Sequence, residues 1–210
     1  MDVEIEEYSS QLFYQTNRFT EMKTSALILV GTLACLSCTD KANETASKEA
    51  NLDNEKKAIY ATIDNETKAF FNRDYNAWKA TYAQTDYAFQ AWSNRDGTFD
   101  SNVGWEDIDN LIGKYITDNP EKSHPKVERK NIKYKFYGDN VAYLTWDQFN
   151  SDRDEKNFHH SKEVRLMEKI DGQWKIVCVS AFWDYKNVIP GSRLPMIQKI
   201  AAESRGKDKI

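Results

Sequence analysis

The chain has 210 residues, of which 13% are aromatic and 30% charged, with a formal net charge of -4 and a pI near 5.5. This acidic balance provides no basic field for nucleic acid, so we expect no nucleic-acid partner. The aromatic residues are numerous enough to fill the core of a folded domain, because each one buries a large apolar surface.

An apolar run from Ala26 to Leu36 interrupts the polar N-terminal region. It is shorter than the about twenty residues that a membrane-spanning helix needs, and a basic residue precedes it, as in a secretory signal peptide. The run closes with Leu36-Ser37-Cys38, which resembles a bacterial lipobox, although Cys35 stands where that motif prefers Leu. The resemblance implies a lipid on Cys38 and a place in the bacterial cell envelope, as a periplasmic or outer-membrane lipoprotein held to the membrane by the lipid alone.

These features divide the chain into five segments. Residues 1–21 are an acidic extension upstream of Met22, the expected start, and residues 22–37 are the signal peptide. Residues 38–53 are nearly free of apolar side chains and are expected to form a flexible tether. Residues 54–190 form the folded domain, and residues 191–210 are a C-terminal tail. After processing, the only cysteine besides the lipid-modified Cys38 is Cys178, so no intramolecular disulfide is expected unless the lipid site is unused.

The first half of the domain has helical periodicity. Apolar residues recur at helical spacing from Ile59 to Tyr82, which predicts one long helix, or two with a bend at residues 72–74. Residues 87–92 have the aromatic content of a short strand, and residues 94–97 form a turn. A further helix is predicted to begin at a Ser101-Asn102 cap and to stop before Asn119.

The second half has strand periodicity. Beyond Pro125, apolar residues alternate over residues 132–136 and 141–149, which predicts a hairpin around Gly138-Asp139-Asn140. Residues 161–170 and 174–185 predict another hairpin around Asp171-Gly172. Helices followed by antiparallel strands indicate an α+β domain whose curved sheet wraps a long helix.

Three stretches in series resemble the SnoaL-like branch of the nuclear transport factor 2-like superfamily. FFNRDYNAWKATYAQTDYAF is similar to its first helix and strand, GWEDIDNLIGKYITDNP to its second helix, and KEVRLMEKIDGQWKIVCVSAFW to its last hairpin. The resemblance covers residues 54–187. It implies a cone-shaped antiparallel sheet, wrapped around the long N-terminal helix as in an α+β roll, with a pocket at the open end. Isomerases, dehydratases, polyketide cyclases and binding domains share this fold, so the fold does not decide the function.

Strand alternation leaves two choices for the face of the sheet that lines this pocket. The polar choice consists of Glu163, Arg165, Cys178 and Ser180. The apolar choice consists of Val164, Leu166, Val177 and Val179. The polar face would present a charged pair and a hydroxyl to a ligand.

Our first hypothesis is a binding domain for a small, partly aromatic or apolar ligand. The residues predicted to bind it are Tyr82, Trp92, Trp105, Trp146, Glu163, Arg165 and Ser180. Because a guanidinium offers a planar pair of donors suited to a carboxylate, we expect the ligand to have a polar or anionic end at Arg165.

The rival hypothesis is a small cofactor-free enzyme of isomerase, dehydratase or hydrolase type. It needs a carboxylate or histidine in the pocket, and the candidates are Asp147, Asp184 and His160. No cofactor motif is visible, and adjacent His159 and His160 would point to opposite faces of a strand, so neither a cofactor nor a metal is expected. A third hypothesis is an interaction module that forms a homodimer through an exposed apolar face of the sheet.

Overall fold

The computed structural model describes the backbone of residues 38–196 and the side chains of residues 49–196. The chain divides into two units, residues 1–42 and residues 43–210, and the second contains the sheet. The predicted signal peptide and the extension before it lie outside the described residues, as does the Cys38 side chain. In the part of the chain that is described, no helix is long and apolar enough to cross a membrane.

The longest helix, α1, spans Cys38–Asn72. It includes residues 38–53, so the structure places these residues in a helix instead of the predicted flexible tether. Their sequence is rich in Ala, Glu and Lys and contains neither Gly nor Pro, and these residue types favour helix even where no apolar side chain is available for packing. The helix ends where Arg73 adopts a φ of 59°, and α2, Tyr75–Lys79, follows with Asp74 accepting a hydrogen bond from the Ala77 amide. Of the two predicted alternatives, two helices with a bend is therefore the one observed.

Six strands form one sheet in the order β2-β1-β6-β5-β4-β3. They are β1 Phe89–Ser93, β2 Phe99–Val103, β3 Val127–Tyr137, β4 Val141–Ser151, β5 Asn157–Ile170 and β6 Gln173–Pro190. Neighbouring strands are antiparallel, except that β1 and β6 are parallel. The two predicted hairpins correspond to β3–β4 and β5–β6. The fold class predicted from the sequence, a curved antiparallel sheet with a long N-terminal helix, is confirmed.

A second helical segment follows β2 and covers the sheet. It consists of α3, Trp105–Ile108, a π-helical turn, Asp109–Gly113, and α4, Lys114–Asp118. The predicted cap at residues 101–102 is wrong, because both residues pair with β1 and the helix begins after Gly104, which has a φ of 85°.

The core lies between α1 and one face of the sheet, which we call the inner face; the opposite face is the outer face. Its fully buried members are led by Ile59, Leu144, Met167 and Ile176. Burial of large apolar side chains of this kind contributes about 1.5–3 kcal/mol each to stability.

Polar contacts fix the second half of α1 against the sheet. At the middle of the helix, Glu55 accepts hydrogen bonds from Trp174 Nε1 at 2.6 Å and from Lys169 Nζ at 2.7 Å. Closer to the C-terminal end, Arg129 of β3 contacts Asp64 Oδ1 at 3.3 Å and donates to Thr67 Oγ1 at 2.7 Å. The second half of α1 is thereby held over the inner face, where it forms one wall of a cavity.

Candidate ligand-binding cavity

A cavity of about 500 Å³ lies between α1, the helical segment 105–118 and the inner face of the sheet. Aromatic side chains form much of its wall: Phe70, Phe71, Trp92, Tyr115 and Trp183. Polar side chains also line it: Glu66, Asp100, Gln90, Gln148, Asn150, Glu163 and Arg165. An apolar chamber with a few convergent polar groups is typical of small-molecule sites.

An ion pair is buried in the wall formed by β5. Arg165 Nη1 donates to Glu163 Oε2 at 2.8 Å, and the two side chains are only 7% and 1% exposed. Ser161 Oγ donates to the other carboxylate oxygen of Glu163 at 2.5 Å. The Arg165 guanidinium also lies over the Trp146 ring, 4.9 Å from its centroid. The carboxylate therefore has a partner on each oxygen, whereas Arg165 Nε has no hydrogen-bond partner among the described residues.

Charges around this pair act on Arg165 in opposite directions. Burial by itself lowers the pKa of Arg165, but the negative charges of Glu163 and Glu66 outweigh it, so the pKa lies above its ordinary value. The guanidinium is consequently a fixed positive charge beside two carboxylates.

A second network connects α1 to β1. Tyr82 Oη donates to Glu66 Oε1 at 3.1 Å and accepts from Gln90 Nε2 at 3.4 Å. Burial, reinforced by the charge of Glu66, raises the pKa of Tyr82 well above its usual value, so the phenol stays protonated. Gln90 Oε1 is left buried without a donor in the described chain, and the same is true of Asn150 Oδ1.

The pairing of β5 with β6 corrects both predicted faces. Glu163 is opposite Ala181 and Arg165 is opposite Val179, so these four share the inner face. Ser180 and Cys178 are opposite Val164 and Leu166 on the outer face. Alternation fixes which residues of one strand share a face, but the phase between two strands depends on register, which the sequence pattern left open.

Most of the residues predicted to bind ligand are separated by the structure. Trp92, Glu163 and Arg165 line the cavity together. Ser180 lies on the outer face, away from the cavity. Tyr82, Trp105 and Trp146 belong to the core; Tyr82 and Trp105 contact each other with ring centroids 5.8 Å apart, and Trp146 is 3% exposed.

Some cavity residues were missed by the sequence analysis. Phe70 and Phe71 belong to the predicted apolar stripe, Glu66 lies between the apolar positions of the same helix, and Gln90 belongs to the first strand, but no local pattern indicates a cavity. The available signal was the spacing of Glu66 and Phe70, which places a carboxylate one turn from an aromatic ring on the same side of α1.

The three catalytic candidates lie together, but on the outer face. His160 Nε2 is 3.0 Å from Asp147 Oδ1, and Lys162 Nζ contacts the same oxygen. Asp184 pairs with His160 across β5 and β6, and a hydrogen bond from the Asn187 side chain, with two from backbone amides, holds its pKa below the usual range. None of the three lines the cavity. Within residues 49–196, no group of three or more His, Cys, Asp or Glu side chains is placed to hold a metal ion.

A larger groove, of about 820 Å³, runs along the other side of α1 between α2 and the β5–β6 turn. Its wall consists mainly of alanine and short polar side chains, with Trp174 as its aromatic member. The buried side-chain atoms that lack a partner in the described chain lie elsewhere, so the groove presents less for a ligand to satisfy.

No family model matches the chain, and no curated protein matches it. Among solved structures, it is similar to an NTF-2-like protein of unknown function from Shewanella oneidensis, with 21% identity over 61% of this chain and 98% of the other and a TM-score of 0.46. It is also similar to a cystatin-like fold protein of unknown function from Nostoc punctiforme, with 16% identity, coverages of 62% and 92% and a TM-score of 0.49. A third similar structure is the association domain of C. elegans CaMKII, with 16% identity, coverages of 64% and 97% and a TM-score of 0.47.

Proposed function

We propose that this domain binds a small, partly aromatic or apolar molecule in the cavity between α1 and the inner face. The observation that carries the proposal is a convergence: three buried polar atoms without partners, on Gln90, Asn150 and Arg165, belong to residues of one aromatic-lined cavity. Folded proteins leave few buried polar groups unsatisfied, so several in one aromatic-lined chamber indicate that water molecules or a ligand enter it and supply their partners.

The same geometry favours binding over catalysis. The predicted acid and base candidates are on the outer face, and Glu163 has a partner on each carboxylate oxygen. A general base must be within hydrogen-bond reach of the proton that it abstracts, which the outer-face residues are not for a molecule in the cavity.

A matched pair of variants tests the binding site. Ala181 lines the cavity, and its neighbour Ser180 has the opposite orientation on the same strand. A metabolite library is screened for thermal stabilisation of the wild type, where a ligand at one hundred times its dissociation constant adds about 2.7 kcal/mol. We expect Ala181→Leu, which fills the chamber, to abolish the shift for hits, and Ser180→Leu to leave it intact. Hits that stabilise Ala181→Leu as well as the wild type would place binding outside this cavity.

We further propose that the chain is a member of the SnoaL-like branch and is exported and lipid-anchored. Support comes from the three sequence stretches within residues 54–187 and from the apolar run that ends in Leu36-Ser37-Cys38. Mass spectrometry of the membrane fraction of bacteria that express the full chain tests the anchor. We expect an N-terminal peptide that starts at lipid-modified Cys38, and a Cys38→Ser variant that stays unprocessed. An unmodified peptide that contains Ser37-Cys38 would contradict the proposal.

A second function, self-association, is favoured by the outer face. This face exposes four large apolar side chains, Phe99, Val103, Tyr143 and Phe182, the last of them 61% exposed. We propose that it packs on the same face of a second copy. Sedimentation should give a homodimer that Phe182→Lys weakens and the exposed Met196→Lys control does not. A wild type that is monomeric at high protein concentration would refute this.

A further inference from the structure

We infer that the ligand of the cavity carries a cationic nitrogen, such as a protonated amine, on its aromatic or apolar body. The inference rests on the proposed binding function and specifies the chemical class of the ligand. It replaces the sequence-based expectation of an anionic end.

The wall of the cavity carries more negative than positive side chains. Its ionisable side chains are the carboxylates of Glu66, Asp100 and Glu163 and the guanidinium of Arg165, a formal net charge of -2. Asp100 is exposed at the rim, and the buried Arg129 behind the wall is paired with Asp64 at 3.3 Å, so Glu66 supplies the unbalanced charge inside the wall. Opposite charges attract strongly where water is excluded, so this wall favours a cation over an anion.

The positive charge of Arg165 is already engaged. Its Nη1 donates to Glu163 Oε2 at 2.8 Å and to the Val164 carbonyl at 2.9 Å, and its guanidinium covers the Trp146 ring. A carboxylate that approached Arg165 would have to lie beside Glu163 and Glu66. An anionic end is therefore disfavoured at the place where the sequence pattern suggested it.

Two amide oxygens of the cavity wall, Gln90 Oε1 and Asn150 Oδ1, have no hydrogen-bond donor in the described chain. The Tyr82 proton goes to Glu66, so the phenol oxygen accepts from Gln90 Nε2, and this orients the amide with Oε1 left over. Gln90 is 7% exposed, and its Oε1 and Asn150 Oδ1 both require a donor. An ammonium group offers three donors and no acceptor, which matches two amide oxygens and a carboxylate. The remaining unpartnered atom, Arg165 Nε, is a donor that a hydroxyl oxygen of the ligand or a water molecule can satisfy.

The aromatic wall suits the same ligand. Trp92 and Trp183 both line the cavity. Indole rings attract cations through their negative faces as well as packing against apolar groups. An aryl-alkyl or alkyl amine would therefore be recognised at both ends.

Three probes of similar size and different charge test the inference: 2-phenylethylamine, 2-phenylethanol and 3-phenylpropanoate. Titration calorimetry at pH 7 with the full chain should show that the amine binds at least about tenfold more tightly than the alcohol. The carboxylate should bind most weakly. Glu66→Gln keeps an acceptor for the Tyr82 hydroxyl but removes the negative charge, so this variant should lose most of the tenfold preference for the amine. The matched control is Glu106→Gln, on the exposed side of α3, which should leave the preference unchanged.

Each outcome bears on a different statement. Tighter binding of the carboxylate or the alcohol than of the amine overturns the cation inference and leaves the proposed function standing. Binding of none of the probes at millimolar concentration overturns the inference for this class of ligand, whereas library hits that stabilise Ala181→Leu as well as the wild type overturn the proposed function. If Glu66→Gln does not fold, Asp100→Asn, at an exposed position of the rim, replaces it. Because solvent screens the exposed Asp100, its loss should reduce the preference without abolishing it, and a preference for the amine that neither variant reduces overturns the inference.

Discussion

Removal of one partner of the buried ion pair should destabilise the domain far more than removal of both. In Arg165→Met, the 1% exposed carboxylate of Glu163 loses its 2.8 Å partner, and the nearby Glu66 loses its compensating charge. Breaking such a pair typically costs about 3–5 kcal/mol, and loss of the guanidinium over Trp146 adds to it.

The double variant Glu163→Gln/Arg165→Met tests the reasoning. The neutral amide keeps an oxygen for the Ser161 hydroxyl, and methionine fills much of the arginine volume without a charge. Replacement of a buried pair by uncharged groups is often neutral, so we expect most of the lost stability to return. Urea denaturation of the wild type, both single variants and the double variant gives the coupling energy, which should be at least about 2 kcal/mol. A coupling energy below about 0.5 kcal/mol would refute the statement that the two charges are buried together and depend on each other.

Two further variants probe the supports of the cavity. In an unobstructed helix Gly113→Ala would raise helix propensity, but here the added Cβ would clash with Asp109 Oδ1 and lie 2.9 Å from Tyr75 Cε2. We therefore expect urea denaturation to show a loss of about 1–3 kcal/mol, and a gain would show that the Asp109 and Tyr75 side chains move aside. Hydrogen bonds from Lys169 and Trp174 lower the pKa of Glu55, so this carboxylate stabilises the fold above its unfolded pKa, and the stabilisation is lost as the pH falls through the folded pKa. The free energy of unfolding of Glu55→Gln at pH 7 should therefore be lower than that of the wild type, by less than about 1 kcal/mol because the site is partly solvated. This difference in free energy should shrink towards pH 3, and a difference that does not depend on pH would contradict the prediction.

The elements that could be predicted from the sequence are those in which the pattern of apolar and polar side chains reflects which face is buried. The strands β3 to β6 alternate apolar and polar residues because one face of each packs on α1, and this period is visible without any partner. The strand β2 has no such alternation of apolar and polar residues. Its sequence FDSNV is exposed or half-buried along its length, and it is a strand because β1 provides hydrogen-bond partners. A strand defined by its neighbour cannot be recognised from its composition.

Some residues of the cavity could be predicted from the sequence, but the set of residues that share it could not. The sequence analysis selected Trp92, Glu163 and Arg165, yet it combined them with Ser180, which lies on the opposite face. The pairing of β5 with β6 shifts between Leu166 and Met167, and this irregularity sets the phase of the two strands in a way that no count of alternating residues can provide. A change of one residue in register moves every side chain of a strand to the other face.

The position of the ion pair connects the stability of the domain to its proposed function. A buried pair contributes little net stability compared with apolar side chains of the same volume, because desolvation of both charges offsets their attraction. Stability alone therefore does not explain why β5 places Glu163 and Arg165 on the inner face, where Met167 shows that an apolar side chain is accommodated. The pair lies in the wall of the cavity, and the guanidinium nitrogen Nε there lacks a partner in the described chain. A charged wall with unfilled hydrogen-bond capacity is disadvantageous for an empty core and useful for a site that discriminates among ligands by charge. The two residues whose separation should weaken the fold would therefore also contribute, beside Glu66, to the charge selectivity that we propose for the cavity.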